Sequence, residues 1–462
     1  MLALSLAKST PPVSRVFFSL GFGLLVFVAL EAMAEQAASS GGIGGERDTR
    51  HRVGLGDSRE NYESSSFVTH SEAIVPLVLP NTVLEEGANQ GGIHEALEFR
   101  LGLPPLKGGL RPEEVALGRA LFFDRRLSAN ATLSCGMCHI PEQGFTQNEL
   151  ATPVGHEGRS VRRNAPSLYN VAFRENLFLD GRESSLENQV WSPLLAANEM
   201  ANDSRAEVIA RIAAMPEYGH QFANLYEEGL TERTLSLALA SYQRSLVAGT
   251  SPFDLWYFGA ASGDGTTGHS GNRNSSEHRG RLARADFSPE AEKGFVIFLQ
   301  AGCAACHTLE SHSAMFADGR FHNTGVGFRR ENADKQPHRV QLAPGIYIKP
   351  SVSLETEVLS DQGRSEVTGN KSDRWRYRTP TLRNVSATAP YMHDGSIPNL
   401  KEVIAFYNEG GGGDPQQDAR IRPLGLTASE QDSLIAFLES LRAPSIDLLA
   451  QQARAGGIGD LR

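Results

Sequence analysis

The chain has 462 residues, of which 40% are hydrophobic and 21% are charged, and its formal net charge at pH 7 is -10. This length is sufficient for two or three domains with cores of their own, and the composition is that of a globular protein. The acidic balance argues against a nucleic-acid partner, which requires a basic surface to neutralise phosphates, and leaves room for a positively charged protein partner.

Residues 1–34 have the features of a secretory signal peptide. Two basic side chains precede an apolar run at 16–30, and a small-x-small cleavage pattern ends at Ala34. The run is shorter than the roughly 20 residues that cross a bilayer, so an uncleaved membrane anchor is the less favoured interpretation. We therefore expect a periplasmic protein whose residues 35–92, rich in Ser, Gly, Glu and Asn, form a low-complexity, disordered extension.

Helical periodicity predominates in the segments that follow. Apolar residues recur at helical spacing in 234–248, in 288–299 after a Ser-Pro start, and in 427–441 after a capping-box pattern. No comparable strand-like alternation is present in the sequence. A polar stretch rich in Gly and Ser, 259–286, interrupts the periodic segments and is predicted to be a linker or surface insertion.

The four cysteines of the chain all lie in two C-x-x-C-H pentads. The first pentad is Cys135-Gly136-Met137-Cys138-His139 and the second pentad is Cys303-Ala304-Ala305-Cys306-His307. Two thiols at this spacing can bond to the vinyl groups of one porphyrin, and the adjacent histidine then ligates the iron. A zinc knuckle or a redox pair is the alternative for a bare C-x-x-C, but the trailing histidines, the export signal and the lack of further cysteines favour two covalent c-type haems.

Each pentad follows a predicted helix and begins a candidate haem-binding core. We therefore predict a mainly α fold with two cytochrome-c-like haem domains, 93–258 and 287–445, joined by the linker 259–286 and followed by a tail, 446–462. A c-type haem whose sixth position is filled transfers electrons, whereas an open position lets peroxide reach the iron. Two haems indicate a division of labour between a reaction site and an electron reservoir.

Further motifs follow one another in order along residues 101–441. They are Leu117-Gly118-Arg119-Ala120-Leu121-Phe122-Phe123-Asp124, Arg163-Asn164-Ala165-Pro166-Ser167-Leu168, Asp180-Gly181-Arg182, Thr379-Pro380-Thr381-Leu382-Arg383-Asn384-Val385 and Ala389-Pro390-Tyr391-Met392-His393-Asp394-Gly395. Together with the pentads, they resemble the bacterial dihaem cytochrome c peroxidase and MauG family. The resemblance implies that the haem on His139 reacts with hydrogen peroxide and that the haem on His307 stores electrons. It also implies that Gln189 and Glu199 are distal residues, with Glu199 moving a proton between the peroxide oxygens.

Two further iron ligands are implied by the resemblance. His156 matches a loop histidine that caps the peroxidatic haem in the peroxidase branch, and the alternative is a solvent-exposed loop histidine. Tyr407, on the apolar face of a short predicted helix, matches the distal position of the second haem, where peroxidases carry Met and MauG-like proteins carry Tyr. Met392 is a tempting alternative ligand, and a core tyrosine with a satisfied hydroxyl is the alternative role for Tyr407. A phenolate would lower the potential that a thioether raises.

The resemblance also implies one calcium ion between the domains. Asn164 and the carbonyl oxygens of Thr388 and Pro390 match the family's calcium ligands, and oxygen ligands suit a hard cation. One side chain and two carbonyls leave no spacing pattern that would predict the site from the residues alone. His393 and Arg378 match positions near the second haem.

One departure from the family concerns the segment between the haems. Leu179 stands where the family commonly has a Trp that relays holes, so Trp191 or Tyr169 would have to replace it.

The leading hypothesis is a periplasmic dihaem peroxidase of the MauG-like branch that takes electrons from a small cytochrome c or copper protein. The alternatives are an enzyme that uses peroxide to oxidise side chains of a partner protein, and a dihaem electron carrier without peroxide chemistry. The sequence leaves open whether the protein is a monomer or a homodimer.

Overall fold

The computed structural model describes residues 100–259, 287–333, 340–343, 346–348 and 361–455, which belong to one compact unit. The predicted signal peptide (1–34), the predicted extension (35–92) and nearly all of the predicted linker lie outside these residues. Every helix within the described ranges is too short or too polar to cross a membrane.

The described chain is mainly helical, which confirms the predicted mainly α class. Its helices are α1 Pro112–Phe123, α2 Cys135–Cys138, α3 Leu186–Gln189, α4 Trp191–Leu195, α5 Arg205–Ala213, α6 Pro216–Leu225, α7 Glu232–Ser245, α8 Pro252–Tyr257, α9 Pro289–Gln300, α10 Val326–Ala333, α11 Ser365–Thr368, α12 Leu400–Asn408, α13 Ala428–Glu439 and α14 Ser445–Arg454. The strands are β1 Phe321–Asn323, β2 Val340–Ala343, β3 Ile346–Ile348 and β4 Arg376–Arg378. β1 pairs with β4 and β2 with β3, both antiparallel. The sequence does not predict these strands because three or four residues are too few for a period of two to stand out.

The three helices predicted from periodicity are present as α7, α9 and α13. Helices α7 and α13 begin with capping boxes, in which Thr231 and Thr427 accept hydrogen bonds from the backbone N–H groups of Thr234 and Glu430. The Ser288 side chain caps α9 by accepting a hydrogen bond from the N–H of Ala291, and proline follows it at the first helical position. The starts of α9 and α13 were predicted from the sequence because each cap is a contact between residues three apart, whereas α7 begins two residues before the predicted segment 234–248.

Each pentad adjoins its own buried core. The cores consist mainly of aromatic and leucine side chains, among them Leu121, Phe122, Phe145, Leu235 and Leu239 in the first core and Phe253, Phe298, Phe316, Leu434 and Phe437 in the second core. Helix α1 packs along α7 in the first core, where a Cβ atom at Gly118 would lie 1.8 Å from the carbonyl oxygen of Ala238. Helix α9 packs along α13 in the second core, where a Cβ atom at Gly294 would lie 1.9 Å from the carbonyl oxygen of Ser433. Each pentad thus follows the first helix of a closely packed pair.

Two helices pack in cores to which the predicted boundaries did not assign them. Helix α8, assigned from the sequence to the first domain, packs in the second core, where Phe253 contacts Phe295 with ring centroids 5.3 Å apart. Helix α14 covers most of the predicted tail, and its Ile446 and Leu449 are buried in the first core. An amphipathic pattern shows that a helix has a buried face, but it does not show which core that face meets.

A buried ion-pair network joins the segments that carry the two pentads. Arg163 contacts Asp180 at 2.5 Å and Asp361 at 2.6 Å, and these three side chains are at most 14% exposed. Burial alone would raise the pKa of Asp361, but the hydrogen bonds and positive charge of Arg163 lower it to about 2. The network therefore depends on an ionised Asp361.

Candidate functional site

The first pentad holds its histidine in the form that an iron ligand needs. Helix α2 forms one turn that begins after Ser134, and the His139 Nδ1 atom lies 2.9 Å from the carbonyl oxygen of Phe145. Because a carbonyl oxygen can only accept, Nδ1 carries the hydrogen and Nε2 is left as a free base. Burial lowers the pKa of His139, which keeps the ring neutral.

A cavity of about 400 Å³ lies over the first pentad. Its lining includes Cys135, Cys138 and His139 of the pentad together with Gln189 and Glu199. The structure therefore brings both predicted distal residues to the space beside the pentad. A nitrogen base in its ligating tautomer, two half-buried thiols and an adjoining cavity fit a covalently attached haem.

Glu199 presents a buried carboxyl group to this cavity. Its backbone N–H donates to the carbonyl oxygen of Ala196 at 2.9 Å, in the turn that follows α4. Burial raises the pKa of Glu199, and the positive charge of Arg182 opposes part of that rise. The carboxyl group is close enough to the pentad for its charge to raise the pKa of both Cys135 and Cys138.

Gln189 ends α3 and also faces the cavity. Its Oε1 atom is buried and has no hydrogen-bond partner among the described residues. An unsatisfied buried acceptor costs about 1–3 kcal/mol. The amide is therefore suited to a hydrogen-bond donor that enters the cavity.

His156 lies next to Glu199, but it is not among the described residues that line the cavity. Its backbone N–H donates to the carbonyl oxygen of Glu199 at 2.9 Å, and its Nε2 atom is 3.7 Å from the Glu157 carboxylate. Gly155, but not His156, is among the described residues that line the cavity. The His156 Nδ1 atom is buried without a partner among the described residues. Its role as an iron ligand stays a prediction.

The second pentad repeats the proximal arrangement of the first. The His307 Nδ1 atom lies 2.8 Å from the carbonyl oxygen of Phe316, and burial lowers the pKa of the ring. Tyr407, near the end of α12, lies beside this pentad. Burial raises the pKa of its phenol, and the nearby thiols of Cys303 and Cys306 raise it further. The predicted Tyr ligand is thus close to the second pentad.

His322, on β1, is a polar residue near the second pentad that sequence reasoning missed. Its Nε2 atom is 2.8 Å from Asp318 and its Nδ1 atom is 2.8 Å from Asp418. The contact with Cys306 and these two carboxylates raise the pKa of His322 to about 9. Ligand atoms of Cys306, Asp318 and His322 lie within 4.8 Å of one another, but a Cys306 sulfur in a thioether is not available to a second metal. No spacing pattern indicates this cluster.

Leu179 lines the first cavity, and its carbonyl oxygen accepts a hydrogen bond from the backbone N–H of Arg378 at 2.8 Å. Trp191 and Tyr169, the two proposed replacements for the missing Trp, both belong to the first core. The Arg205 guanidinium lies 4.9 Å from the Trp191 ring, and the Tyr169 hydroxyl donates to a backbone carbonyl of α14 at 3.3 Å. Neither is among the described residues that line the cavity.

The predicted calcium ligands have other hydrogen-bond partners. The Asn164 side chain donates to the carbonyl oxygen of Ala151 at 2.9 Å, and its backbone N–H donates to that of His393 at 2.8 Å. The Thr388 hydroxyl donates to the carbonyl oxygen of Val385 at 3.1 Å. Within the described ranges, these bonds do not join Asn164 to Thr388 or Pro390, and the calcium site stays a prediction.

Comparison with known proteins identifies relatives that match about three quarters of the chain. Residues 112–262 match the family model of di-haem cytochrome c peroxidase, and residues 376–406 match a model described as RoxA-like, cytochrome c-like. The methylamine utilization protein MauG of Methylorubrum extorquens is 34% identical over 73% of this chain and 81% of its own. The cytochrome-c peroxidase IdrP1 of Denitromonas iodatirespirans is 33% identical over 73% of this chain and 83% of its own. The crystal structure of a MauG-like protein associated with microbial copper homeostasis superposes with a TM-score of 0.55 and 28% identity, over 74% of this chain and 93% of that chain.

Proposed function

The chain belongs to the di-haem cytochrome c peroxidase and MauG family, and we propose that it is a periplasmic peroxidase that reduces hydrogen peroxide in the cavity over the first pentad. The observation that carries this proposal is the pairing of a buried carboxyl group, Glu199, with an unpartnered amide, Gln189, in that cavity. Such groups suit proton transfer and hydrogen bonding to a small polar substrate.

The residues that would hold the two haems are those of the pentads. Cys135 and Cys138 would form the thioethers of the first haem and His139 would ligate its iron. Cys303, Cys306 and His307 would do the same for the second haem. A bound c-type haem supplies an iron that can bind peroxide at an open position and can take up and pass on electrons.

Glu199 would serve as the acid and base of the reaction. Its carboxylate accepts the proton of the inner peroxide oxygen and returns it to the outer oxygen, which leaves as water. The pKa of Glu199, raised by burial, brings the group closer to the pH at which one carboxyl can both accept and donate. Gln189 would orient the peroxide through its amide. Each turnover takes two electrons from the donor and two protons from solvent and yields two water molecules.

Electrons would enter through the second haem from a small periplasmic cytochrome c or copper protein. The position of Tyr407 beside the second pentad supports the MauG-like branch. As a phenolate ligand of the second haem, Tyr407 would favour ferric iron and would lower the potential of that haem. The same observation favours a second candidate function, in which peroxide is used to oxidise side chains of a partner protein, as the resemblance to MauG implies.

The purified dihaem protein tests the proposal. Resting optical and EPR spectra followed by peroxide addition should show that the first haem reacts, and that reduced cytochrome c or a reduced copper protein then sustains turnover. Two low-spin haems that do not react with peroxide would overturn the proposal in favour of a pure electron carrier. Turnover that needs no small donor but modifies a partner protein would favour the second candidate function.

A further inference from the structure

Two arginines in the first cavity have no acidic partner among the described residues. Arg174 and Arg378 both line the cavity, although the family resemblance matched Arg378 to a position near the second haem. One terminal amino group of Arg174 donates weakly, at 3.4 Å, to the carbonyl oxygen of Tyr169, and its Nε atom is buried without a partner. Arg378 is 5% exposed and donates to the carbonyl oxygens of Phe178 at 3.2 Å and Thr379 at 3.1 Å. Among the described residues, both guanidinium groups thus contact neutral carbonyl groups.

The other arginines of the cavity are neutralised. Arg162 pairs with Glu366, Arg163 pairs with Asp180 and Asp361, and Arg182 pairs with Asp180. Arg174 and Arg378 therefore carry the uncompensated positive charge of the described cavity lining. They also lie near enough to each other for the charge of Arg378 to disfavour that of Arg174.

The positive charges of Arg174 and Arg378 lack a compensating negative charge among the described residues. Burial lowers the pKa of Arg174 to about 9 and that of Arg378 to about 10, so each charged form is less stable here than in water. Buried charges are retained when an opposite charge compensates them. A group that brings two negative charges into the cavity would compensate the charges of both arginines.

A haem attached to the first pentad would bring two such charges, since its porphyrin carries two propionate groups. Guanidinium groups bind carboxylates through paired, charge-assisted hydrogen bonds. We propose that Arg174 and Arg378 form the binding site for the propionate carboxylates of the haem in the first cavity. The proposal rests on the haem loading that belongs to the proposed function, but it does not depend on peroxide chemistry.

The site would link the first haem to the second core. Arg378 ends β4, which pairs with β1, and β1 carries His322 beside the second pentad. The backbone N–H of Arg378 also holds the carbonyl of Leu179 at 2.8 Å. Positive charge at the propionates stabilises the reduced haem, so the two arginines would raise the potential of the first haem.

Spectroelectrochemical titration of the dihaem protein tests this site in the variants Arg174→Gln and Arg378→Gln. Each should lower the midpoint potential of the first haem and shift its propionate bending mode in resonance Raman spectra. Arg174→Lys and Arg378→Lys, which keep the charge, should recover most of the potential. Arg211→Gln is the matched control, because Arg211 lies in α5 and pairs with Glu207 outside the cavity.

Gln variants that bind two haems and keep both the potential and the Raman mode of the unaltered protein would overturn the proposal. If the Gln variants fail to load haem, the Lys variants decide, since a lowered potential in haem-loaded Lys variants would also overturn it. Glu199→Gln separates this proposal from the proposed function. That variant should lose peroxide reduction while the propionate bending mode of the first haem stays unchanged, because Glu199 is not a proposed propionate ligand.

Discussion

The two pentads share the same hydrogen bond at the histidine but differ in the residues that adjoin them. In both, the histidine Nδ1 donates to a phenylalanine carbonyl nine or fewer residues further along the chain, Phe145 in one case and Phe316 in the other. The first pentad adjoins a cavity with a carboxyl group and an amide, whereas the second adjoins the phenol of Tyr407. Attachment is therefore set by local sequence, and reactivity is set by residues that the fold brings to the open side.

The largest expected effect comes from removing the carboxylate of the first site. Glu199→Gln should reduce the rate of peroxide reduction by about 10²–10⁴-fold, because the amide cannot carry a proton between the peroxide oxygens. Stopped-flow absorption of the first haem after peroxide addition measures this rate. The variant should bind two haems, since Glu199 forms no bond to either pentad.

Glu228→Gln is the matched control for this experiment. Glu228 pairs with Arg233 on the exposed surface, so the same substitution there should leave the rate unaltered. A Glu199→Gln protein that retains full peroxide turnover would remove Glu199 from the mechanism. The first site would then no longer differ from the second site by having an acid and base residue.

The next largest effect is expected at the ion pairs of Arg163, which join the segments that carry the two pentads. Asp361→Asn should lower the free energy of unfolding at pH 7 by about 3 kcal/mol, because Arg163 loses a buried partner. The pKa of Asp361 is about 2, below the ordinary value of 3.8, so its stabilising contribution is complete above about pH 4 and is lost as the pH falls through 2. Urea unfolding at several pH values should show the variant and the parent converging over that range.

Asp447→Asn provides the comparison for that measurement. The Asp447 side chain is 67% exposed and pairs with Arg442, so its loss should cost less than about 1 kcal/mol. A difference between Asp361→Asn and the parent that is the same at pH 7 and pH 2 would contradict the ionic origin of the effect.

Sequence reasoning succeeded where chemistry depends on neighbours in the chain. The pentads, the capping box of α13 and the Ser-Pro start of α9 are local patterns whose residues lie within a few positions of one another. The capping box of α7, formed by Thr231 and Thr234, was not predicted. Glu199 and Tyr407 required the family resemblance. Taken alone, each would be an ordinary surface carboxylate or an ordinary core tyrosine.

Contacts between distant segments could not be predicted in this way. Arg378 and Phe178, which meet beside the first cavity, are 200 positions apart. The packing of α8 on the second core and of α14 on the first depends on the paths of the connecting chain. Periodicity measures whether a face is apolar, and it contains no information about the partner of that face.

A smaller effect is expected from Gln189, the second polar group of the first site. Gln189→Leu should slow peroxide reduction about tenfold through the loss of one hydrogen bond to the substrate. The free energy of unfolding should not fall, because the substitution removes a buried acceptor that has no partner among the described residues. Rate and urea stability, measured on the same preparation, separate these two effects.

The exposed neighbour Asn188 offers a control on the same helix. Asn188→Leu should leave the rate of peroxide reduction unchanged. Equal losses of rate in the two variants would mean that α3 is perturbed as a whole, and the amide of Gln189 would then have no specific part in the first site.

The smallest effect on peroxide cleavage is expected at the second site. Tyr407→Phe should change the first-site rate by less than about twofold, since the two sites are separate. It should nevertheless alter the optical and EPR spectra of the second haem and raise its midpoint potential, because a hard anionic ligand is lost. Tyr257→Phe, at an exposed tyrosine, should alter neither. An unaltered second-haem spectrum in Tyr407→Phe would exclude Tyr ligation. The case for oxidation of a partner protein would then lose its main support, and the small-donor peroxidase would be the better description.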